Sequence, residues 1–244
     1  MQYTAFMEIG LSVSPVIGIL GGMGPAATAD FYAKLVRRTR AGRDQEHPRV
    51  VIWSDPTIPD RTEALLGGGE DPTPLMLRGI RHLEEAGATV IAVPCNTAHA
   101  FVPVLQAWTP VPILHMVERT VERLAARDVK AAGLLATSAT CRIGLYQSFA
   151  SEFGLEIITP DAGSQATVME AIRLVKAGII DGSVTDRLAE VSEVLLRHGA
   201  QAIIAGCTEI PLVLHQDVLG IPLIDPTSVL ADAVLSAVGA AVRV

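Results

Sequence analysis

The sequence predicts an α/β protein made of two similar domains, each a mostly parallel sheet flanked by helices. Short apolar runs rich in β-branched residues alternate with amphipathic stretches, which is typical of buried parallel strands joined by crossover helices. The predicted strands lie at 16–20, 50–53, 90–93, 131–135, 157–158 and 202–205. A second observation is an internal repeat, because two segments of the chain carry the same landmarks at the same spacing.

Two cysteines mark this repeat. Cys95 and Cys207 each lie eight residues after the glycine of a Gly-Ala pair, at the end of an apolar run. Each is followed within 17 residues by a matching segment, Val-Pro-Ile-Leu at 111–114 or Ile-Pro-Leu-Ile at 221–224. A duplicated fold brings equivalent loops together across a pseudo-two-fold axis. We therefore expect both thiols in one active-site cleft between the domains.

The helices are predicted from apolar spacing and from their ends. The stretch 28–40 places Ala29, Tyr32, Ala33 and Val36 at helical spacing and ends in cations, which the helix dipole favours. This pattern predicts an amphipathic helix after the first strand.

The predicted domain boundaries follow the repeat, since no Pro-rich linker separates its halves. Residues 1–14 are predicted to be a frayed N-terminal extension, 15–112 the first domain and 113–221 the second. A final helix at about 226–238 lies in the segment 222–244, which is expected to pack back on the first domain.

Composition excludes several classes of function. The chain has 244 residues and a net charge of −7, with no basic patch, which argues against a nucleic-acid partner. No run reaches the ~18 apolar residues of a membrane span, and the N-terminus lacks the cationic start of a signal peptide. Three cysteines do not make a disulfide framework and suit the reducing cytoplasm.

The two cysteines are candidates for proton-transfer chemistry. Both fall at the carboxyl ends of predicted strands, where open α/β sheets bind ligands. A lone cysteine beside an apolar run is usually an inert core residue, but two at repeat-equivalent sites favour function. Polar residues follow at 96–97 and 208–209, and their backbone amides could cradle a carboxylate. Two opposed thiols can exchange a proton on both faces of a carbon atom.

Other motifs carry weaker signals. Residues 22–27 formally fit a dinucleotide-binding pattern, but Pro25 removes an amide that a phosphate would need, so a tight turn near a small anion is favoured. Cys141 has no repeat partner and is predicted to be structural. His99 is expected to pack or hydrogen-bond near Cys95, and His115 has no partner at metal-ligand spacing. No metal site is predicted.

Three motifs in order carry a family resemblance: Gly-Gly-Met-Gly-Pro at 21–25, Pro-Cys-Asn-Thr-Ala-His at 94–99 and Gly-Cys-Thr-Glu at 206–209. Together with 44–48 and 59–62, they resemble the aspartate/glutamate racemase family over nearly the whole chain. The resemblance implies two similar α/β domains, a homodimer, and racemisation of acidic amino acids without pyridoxal phosphate, metal or other cofactor.

The resemblance also implies roles for individual residues. Cys95 and Cys207 correspond to the two acid/base residues. Arg61 is implied to bind a carboxylate, with Lys176 assisting it. Apart from the resemblance, Asp30 and Asp60 could orient Arg61 or its loop. The remaining implied substrate contacts lie in the glycine loops or beside the cysteines: Met23, Asn96, Thr97, Thr137 and Thr208.

The expected function is racemisation of L-aspartate to D-aspartate by a thiol/thiolate pair in the cytoplasm. Glutamate racemases have Asp in the first glycine loop and His after the second Cys-Thr; here Gly-Gly-Met and Glu209 stand there, which favours aspartate. The alternatives are a glutamate or broader-specificity racemase, and a non-catalytic dicarboxylate-binding protein. Both cysteines argue against an arylmalonate decarboxylase of this superfamily, and Arg61 argues against a hydantoin racemase.

Overall fold

The computed structural model describes residues 14–243, so the predicted N-terminal extension lies outside the described residues except for Ser14. The strands are β1 (Val16–Gly21), β2 (Arg49–Ser54), β3 (Val90–Ala92), β4 (Ala131–Ala136), β5 (Glu156–Ile158), β6 (Ala202–Gly206) and β7 (Leu223–Ile224). The helices are α1 (Pro25–Arg38), α2 (Arg61–Leu66), α3 (Thr73–Glu85), α4 (Val102–Gln106), α5 (Met116–Ala125), α6 (Ser138–Arg142), α7 (Leu145–Ala150), α8 (Ala162–Lys176), α9 (Gly182–Arg197) and α10 (Pro226–Ala237). Between residues 14 and 243, none of these helices has the length and apolar character needed to cross a bilayer.

Two parallel sheets form the framework, and the predicted α/β fold is confirmed. The first has the strand order β2-β1-β3 and the second the order β5-β4-β6-β7. In the first sheet, Ile113 occupies the position equivalent to β7 of the second sheet. It forms a single parallel bridge to Ile91 of β3, as β7 pairs with β6. The Ile91 amide donates to the Pro112 carbonyl, and the Ile203 amide donates to the Pro222 carbonyl, both at 2.9 Å. The matching segments 111–114 and 221–224 therefore lie at equivalent positions, one beside β3 in the first sheet and the other beside β6 in the second.

The edge strands differ from the prediction of strands buried on both faces. β1, β3 and β6 are buried along their whole length, whereas β2 has exposed residues, with Ile52 41% exposed. β2 has a neighbouring strand on one side only, and the ring of Trp53 stacks on His82 of α3. The apolar run alone does not distinguish an edge position from a central one.

Helix α1 also differs from its prediction. It begins at Pro25, three residues before the predicted start at 28, and its buried residues include Phe31 and Leu35. Tyr32 and Val36, part of the predicted stripe, are 43% and 42% exposed. The buried face is the one that meets β1, β3 and α10, where Phe31 and Leu35 join a common apolar cluster.

Helices α5 and α10 connect the two sheets. Each follows the last strand segment of its own repeat. α10 buries Leu230, Val234 and Leu235 in the core of the first sheet, while α5 buries Val121 and Leu124 in the core of the second. The two helices also pack against each other. The halves are thus joined by an exchange of helices.

An ion network reinforces this junction. The Asp232 carboxylate of α10 accepts hydrogen bonds from Arg38 Nε of α1 at 2.5 Å and from Arg123 Nη2 of α5 at 2.9 Å. Nearby, Lys34 Nζ of α1 lies 2.7 Å from an Asp225 carboxylate oxygen and 2.5 Å from one of Asp30. These pairs tie α1, α5 and α10 together where apolar packing ends.

The turn after Cys95 is held by a buried histidine. His99 is fully buried, and its Nε2 donates to the Val93 carbonyl at 3.0 Å, whereas its Nδ1 has no partner in the described part of the chain. Burial, and secondly the neighbouring His115, lower the pKa of His99 to about 3. His99 therefore stays neutral and links the end of β3 to the turn that follows it.

Asp232→Asn is expected to lower the free energy of unfolding by about 1–2 kcal/mol at neutral pH, because three charge-assisted hydrogen bonds, two from Arg38 and one from Arg123, lose their anion. The figure is below that of a fully buried pair because both arginines are partly exposed to water. Urea unfolding measures it. Asp217→Asn, an exposed residue, is the control and should change stability by less than about 0.5 kcal/mol. Equal stability of the two variants would contradict the structural role of the network.

His99 should make stability depend on pH. Below its ordinary pKa of 6.5, the unfolded chain binds a proton that the folded protein excludes until about pH 3. The stabilisation is therefore present above pH 6.5, and the free energy of unfolding falls by about 1.4 kcal/mol per pH unit as the pH decreases. In His99→Gln, the free energy of unfolding measured by urea titration should fall less steeply between about pH 6 and pH 4.5, because this proton is no longer taken up on unfolding. Parallel slopes for the variant and the wild type would contradict the assignment.

Candidate active site

The carboxyl ends of the two sheets meet at one cavity. Cys207 directly follows β6, and Cys95 lies three residues after the end of β3. All nine residues predicted from the sequence line this cavity: Met23, Arg61, Cys95, Asn96, Thr97, Thr137, Lys176, Cys207 and Thr208. Asp60, Thr62 and Glu209 complete the lining.

The cavity is small. Its volume is about 20 Å³, enough for about one water molecule. It adjoins an outer pocket of about 540 Å³, and the two share Asp60, Arg61, Lys176 and Glu209.

The glycine loop after β1 forms one wall. Gly22 has a φ of +91°, and a Cβ there would lie 2.4 Å from backbone atoms of Asp55, so only glycine fits. The next residue, Met23, is buried and lines the cavity. The loop thus makes a tight turn between β1 and α1, as the sequence predicts, and it packs closely against the backbone that follows β2.

The two cysteines have different surroundings. Both are 7% exposed. The Cys207 thiol donates to Glu209 Oε2 at 2.9 Å, whereas the Cys95 side chain has no hydrogen-bond partner within residues 14–243. Burial raises the pKa of Cys207 well above its ordinary value, the Glu209 carboxylate raises it further, and Lys176 opposes both effects. The repeat places two thiols in one cavity but gives them unequal neighbours.

Three threonines connect the halves at the cavity. The Thr97 hydroxyl lies 3.0 Å from the hydroxyls of both Thr137 and Thr140, which are themselves 3.0 Å apart. Thr97 and Thr137 line the cavity. Thr140 was missed by sequence analysis, because its contribution is a contact with the other half of the chain.

Asn96 is oriented by a residue that sequence analysis also missed. The hydroxyl of Tyr146, fully buried in α7, donates to Asn96 Oδ1 at 2.5 Å. Asn96 Nδ2 is buried without a hydrogen-bond partner in the described chain. A buried donor without an acceptor is costly, so this amide is available for a ligand oxygen.

Arg61 is a buried cation with no acidic partner among residues 14–243. It is 9% exposed, and its Nη1 donates to the carbonyls of Ile58 at 3.1 Å and Pro59 at 2.9 Å. Its Nε is buried and has no hydrogen-bond partner. Burying an unpaired charge is unfavourable, so this guanidinium is suited to an anionic ligand.

Neither Asp30 nor Asp60 hydrogen-bonds to the Arg61 side chain, but Asp60 holds the loop before it. Asp60 caps α2 by accepting from the amides of Thr62 and Glu63, and Asp30 pairs with Lys34. The cap sets the start of α2, where Arg61 is the first residue, and α2 packs against α6 of the other half. The Arg61 guanidinium is held instead by the backbone carbonyls before it.

The remaining candidates lie outside the catalytic chemistry. Cys141 lies in α6 and lines a separate pocket, where its thiol donates to Gln165 Oε1 at 3.6 Å and burial raises its pKa to about 11. Between residues 14 and 243, no three His, Cys, Asp or Glu side chains are grouped so as to hold a metal ion.

Comparison with known proteins identifies relatives along almost the whole chain. The model of the Asp/Glu/hydantoin racemase family matches residues 20–234. The broad specificity amino-acid racemase RacX of Bacillus subtilis is 32% identical over 225 residues, covering 91% of this chain and 97% of RacX.

Solved structures are similar as well. The aspartate racemase of Picrophilus torridus superposes with a TM-score of 0.84 at 32% identity, covering 94% of this chain and 96% of that one. The glutamate racemase of Francisella tularensis has a TM-score of 0.72 at 17% identity, covering 93% and 81%, which shows a shared fold. The resemblance found in the sequence is confirmed: the chain belongs to the Asp/Glu/hydantoin racemase family.

Proposed function

We propose that this protein racemises aspartate without a cofactor, using Cys95 and Cys207 as the two acid/base residues. The observation that carries the proposal is that both thiols line one cavity from repeat-equivalent loops. Family membership supports a racemase, and the similar Picrophilus protein is an aspartate racemase by name.

Racemisation requires removal of the Cα proton from one face and delivery of a proton to the other. One thiolate acts as the base while the opposing thiol acts as the acid, and the roles exchange for the other enantiomer. The pair titrates together, and its productive state holds one proton.

The intermediate carries negative charge that must spread into the α-carboxylate. Hydrogen-bond donors already in place stabilise such charge without reorganisation. The unpartnered Asn96 Nδ2 and the hydroxyls of Thr97 and Thr208 lie on the cavity wall and are suited to this task. Tyr146 then acts indirectly, by fixing the side-chain amide of Asn96.

Preference for an acidic side chain is supported by the two cations of the cavity. Arg61 lacks an acidic partner between residues 14 and 243, and its planar guanidinium can bind a carboxylate through two hydrogen bonds. Lys176 lies at the end of α8 and lines both the inner cavity and the outer pocket. We assign the distal carboxylate of aspartate to this pair.

A broader amino-acid racemase is the second candidate. The outer pocket has apolar walls that include Ile58, Val175 and Leu212, against which larger side chains could pack. The similar Bacillus protein is a broad specificity racemase by name. A panel of acidic, neutral and apolar amino acids distinguishes this candidate from an aspartate-selective enzyme.

We also propose a cytoplasmic homodimer. The family resemblance supports the dimer. Three free cysteines, two of which must remain thiols for the proposed chemistry, support a reducing compartment. Analytical ultracentrifugation tests the dimer.

The first activity test uses aspartate in deuterated water. Wild type should exchange the Cα proton, seen by proton NMR, and interconvert the enantiomers, seen by chiral chromatography. Cys95→Ala and Cys207→Ala should each abolish racemisation, because one face of the carbon loses its acid or base. Cys141→Ala is the control and should remain active.

Two results would count against the proposal in different ways. A single-cysteine variant that racemises near the wild-type rate would exclude the two-base mechanism. If the wild-type protein binds aspartate but incorporates no deuterium at Cα of any amino acid tested, it is instead a non-catalytic dicarboxylate-binding protein.

Arg61→Ala should reduce kcat/KM for aspartate roughly ten- to a hundredfold, through loss of a charge-assisted contact of about 1.5–3 kcal/mol. Any slower activity on alanine should change far less, because alanine has no distal carboxylate. Arg61→Lys should recover only part of the loss, since an ammonium lacks the planar fork. The control is Arg187→Ala on the exposed face of α9. Equal losses on aspartate and alanine would show that Arg61 does not select the side chain.

A further inference from the structure

The repeat is broken at one position inside the cavity. Two residues after Cys95 stands Thr97, and two residues after Cys207 stands Glu209. The Thr97 hydroxyl contacts the hydroxyls of Thr137 and Thr140 and makes no hydrogen bond to Cys95. The Glu209 carboxylate instead accepts the Cys207 thiol. Among residues 14–243, the Cys207 thiol is therefore hydrogen-bonded to a carboxylate and the equivalent Cys95 thiol is not.

Glu209 is held rigidly in this contact. It is 4% exposed, and its Oε2 accepts from the Cys207 thiol at 2.9 Å and from the Thr208 hydroxyl at 3.3 Å. Its Oε1 faces the glycine loop, 3.5 Å from where a Cβ on Gly24 would lie. Within the described chain, no lysine, arginine or histidine forms a salt bridge with it.

Several titratable groups surround Cys207 from the elements packed around it. They are Glu209 in its own loop, Lys176 at the end of α8, Asp60 and Arg61 at the start of α2, Cys95 after β3, and Tyr146 in α7. Burial and then Glu209 raise the pKa of the Cys207 thiol, and the opposing effect of Lys176 is smaller. The local charges thus agree with the hydrogen-bond geometry.

We infer that Glu209 keeps Cys207 as a protonated thiol in the resting enzyme, so that Cys95 carries the thiolate. The inference rests on the proposed function. In this scheme Glu209 is a positioning residue, because it acts on the Cys207 thiol and not on the substrate.

The proton balance of one turnover follows from this assignment. The Cys95 thiolate takes the Cα proton and becomes a thiol, while the Cys207 S–H bond breaks and its proton goes to the opposite face of the carbon. Cys207 is then a thiolate beside the Glu209 carboxylate. A proton passes from Cys95 to Cys207 through solvent to restore the resting state, with no net gain or loss.

The direction of catalysis cannot reveal this asymmetry. L- and D-aspartate have equal free energies in water, so kcat/KM must be equal in both directions. The alkaline limb of kcat/KM against pH is informative instead, because it reports the loss of the essential proton from the free enzyme. In this scheme that proton is on Cys207.

The direct test titrates the thiols without substrate. The protein is alkylated with iodoacetamide across a pH series, and each cysteine peptide is quantified by mass spectrometry. For each cysteine, the pH at which the alkylation rate has its inflection is compared. The absolute rates are not compared, because burial slows alkylation at both sites. The alkylation rate of Cys207 should have its inflection at a higher pH than that of Cys95. Cys141 serves as an internal reference.

Glu209→Gln removes the charge while keeping the size of the side chain. It should lower the Cys207 inflection by about one to three pH units and shift the alkaline limb of kcat/KM in the same direction. Glu209→Asp, whose carboxylate is drawn back from the thiol, should give a smaller shift. Glu190→Gln, on the exposed surface of α9, should change neither. A merely structural role for Glu209 would lower the rate at all pH values without moving the limb.

The inference is overturned if wild-type Cys207 inflects at or below Cys95, or if Glu209→Gln leaves the Cys207 inflection in place. If Glu209→Gln does not fold, two other measurements test the inference. They are the order of the Cys207 and Cys95 inflections in the wild type, and the shift of the Cys207 inflection in Glu209→Asp. Alkylation needs no turnover, so absence of Cα exchange would overturn the proposed function and still leave the order of the two thiols measured.

Discussion

The exchange of helices between the two sheets is the constraint on which the site depends. α5 follows the last strand segment of the first repeat but buries Val121 and Leu124 in the second core, and α10 does the reverse with Leu230 and Val234. The two sheets cannot separate without exposing these faces to water, which is the main cost that opposes opening. The loops that bear the cysteines therefore meet at a defined place.

Within this frame, the cavity concentrates polar groups that have incomplete hydrogen bonding. Asn96 is tied to Tyr146 through its oxygen but leaves its amide nitrogen without a partner, and Arg61 is held by two carbonyls but leaves Nε without one. In a folded protein such groups oppose stability. Their presence in one small cavity is the physical signature of a site completed by an anionic ligand.

The duplicated scaffold and its asymmetric lining serve different purposes. Repetition supplies two thiols at matching strand ends, as the proposed two-base racemisation requires, because the proton leaves one face of the carbon and arrives at the other. In the scheme we propose, the asymmetry at Thr97 and Glu209 sets how a single proton is distributed between those thiols. A pair of identical surroundings would leave both thiols equally ionised and the productive state only partly populated.

The amino-acid sequence by itself determined the α/β class, the repeat and nine of the twelve residues that line the cavity. Alternation of apolar runs and the spacing from glycine to cysteine are local properties, and equivalent strand ends meet wherever a duplicated fold closes on itself. The family resemblance added the substrate-binding roles of the polar residues beside the cysteines. It also added Arg61 and Lys176, which no local pattern distinguishes from surface cations.

Only the tertiary structure decided which surfaces meet. α1 carries apolar residues on more than one face, so its sequence did not reveal that Phe31 is buried and Tyr32 exposed. The partnership of Tyr146 with Asn96 spans 50 residues. The contact of Glu209 with Cys207 depends on the turn after β6, because Thr97, at the same spacing after Cys95, hydrogen-bonds to Thr137 instead of to its cysteine. Such contacts depend on packing between distant segments, which a single sequence does not encode in any local pattern.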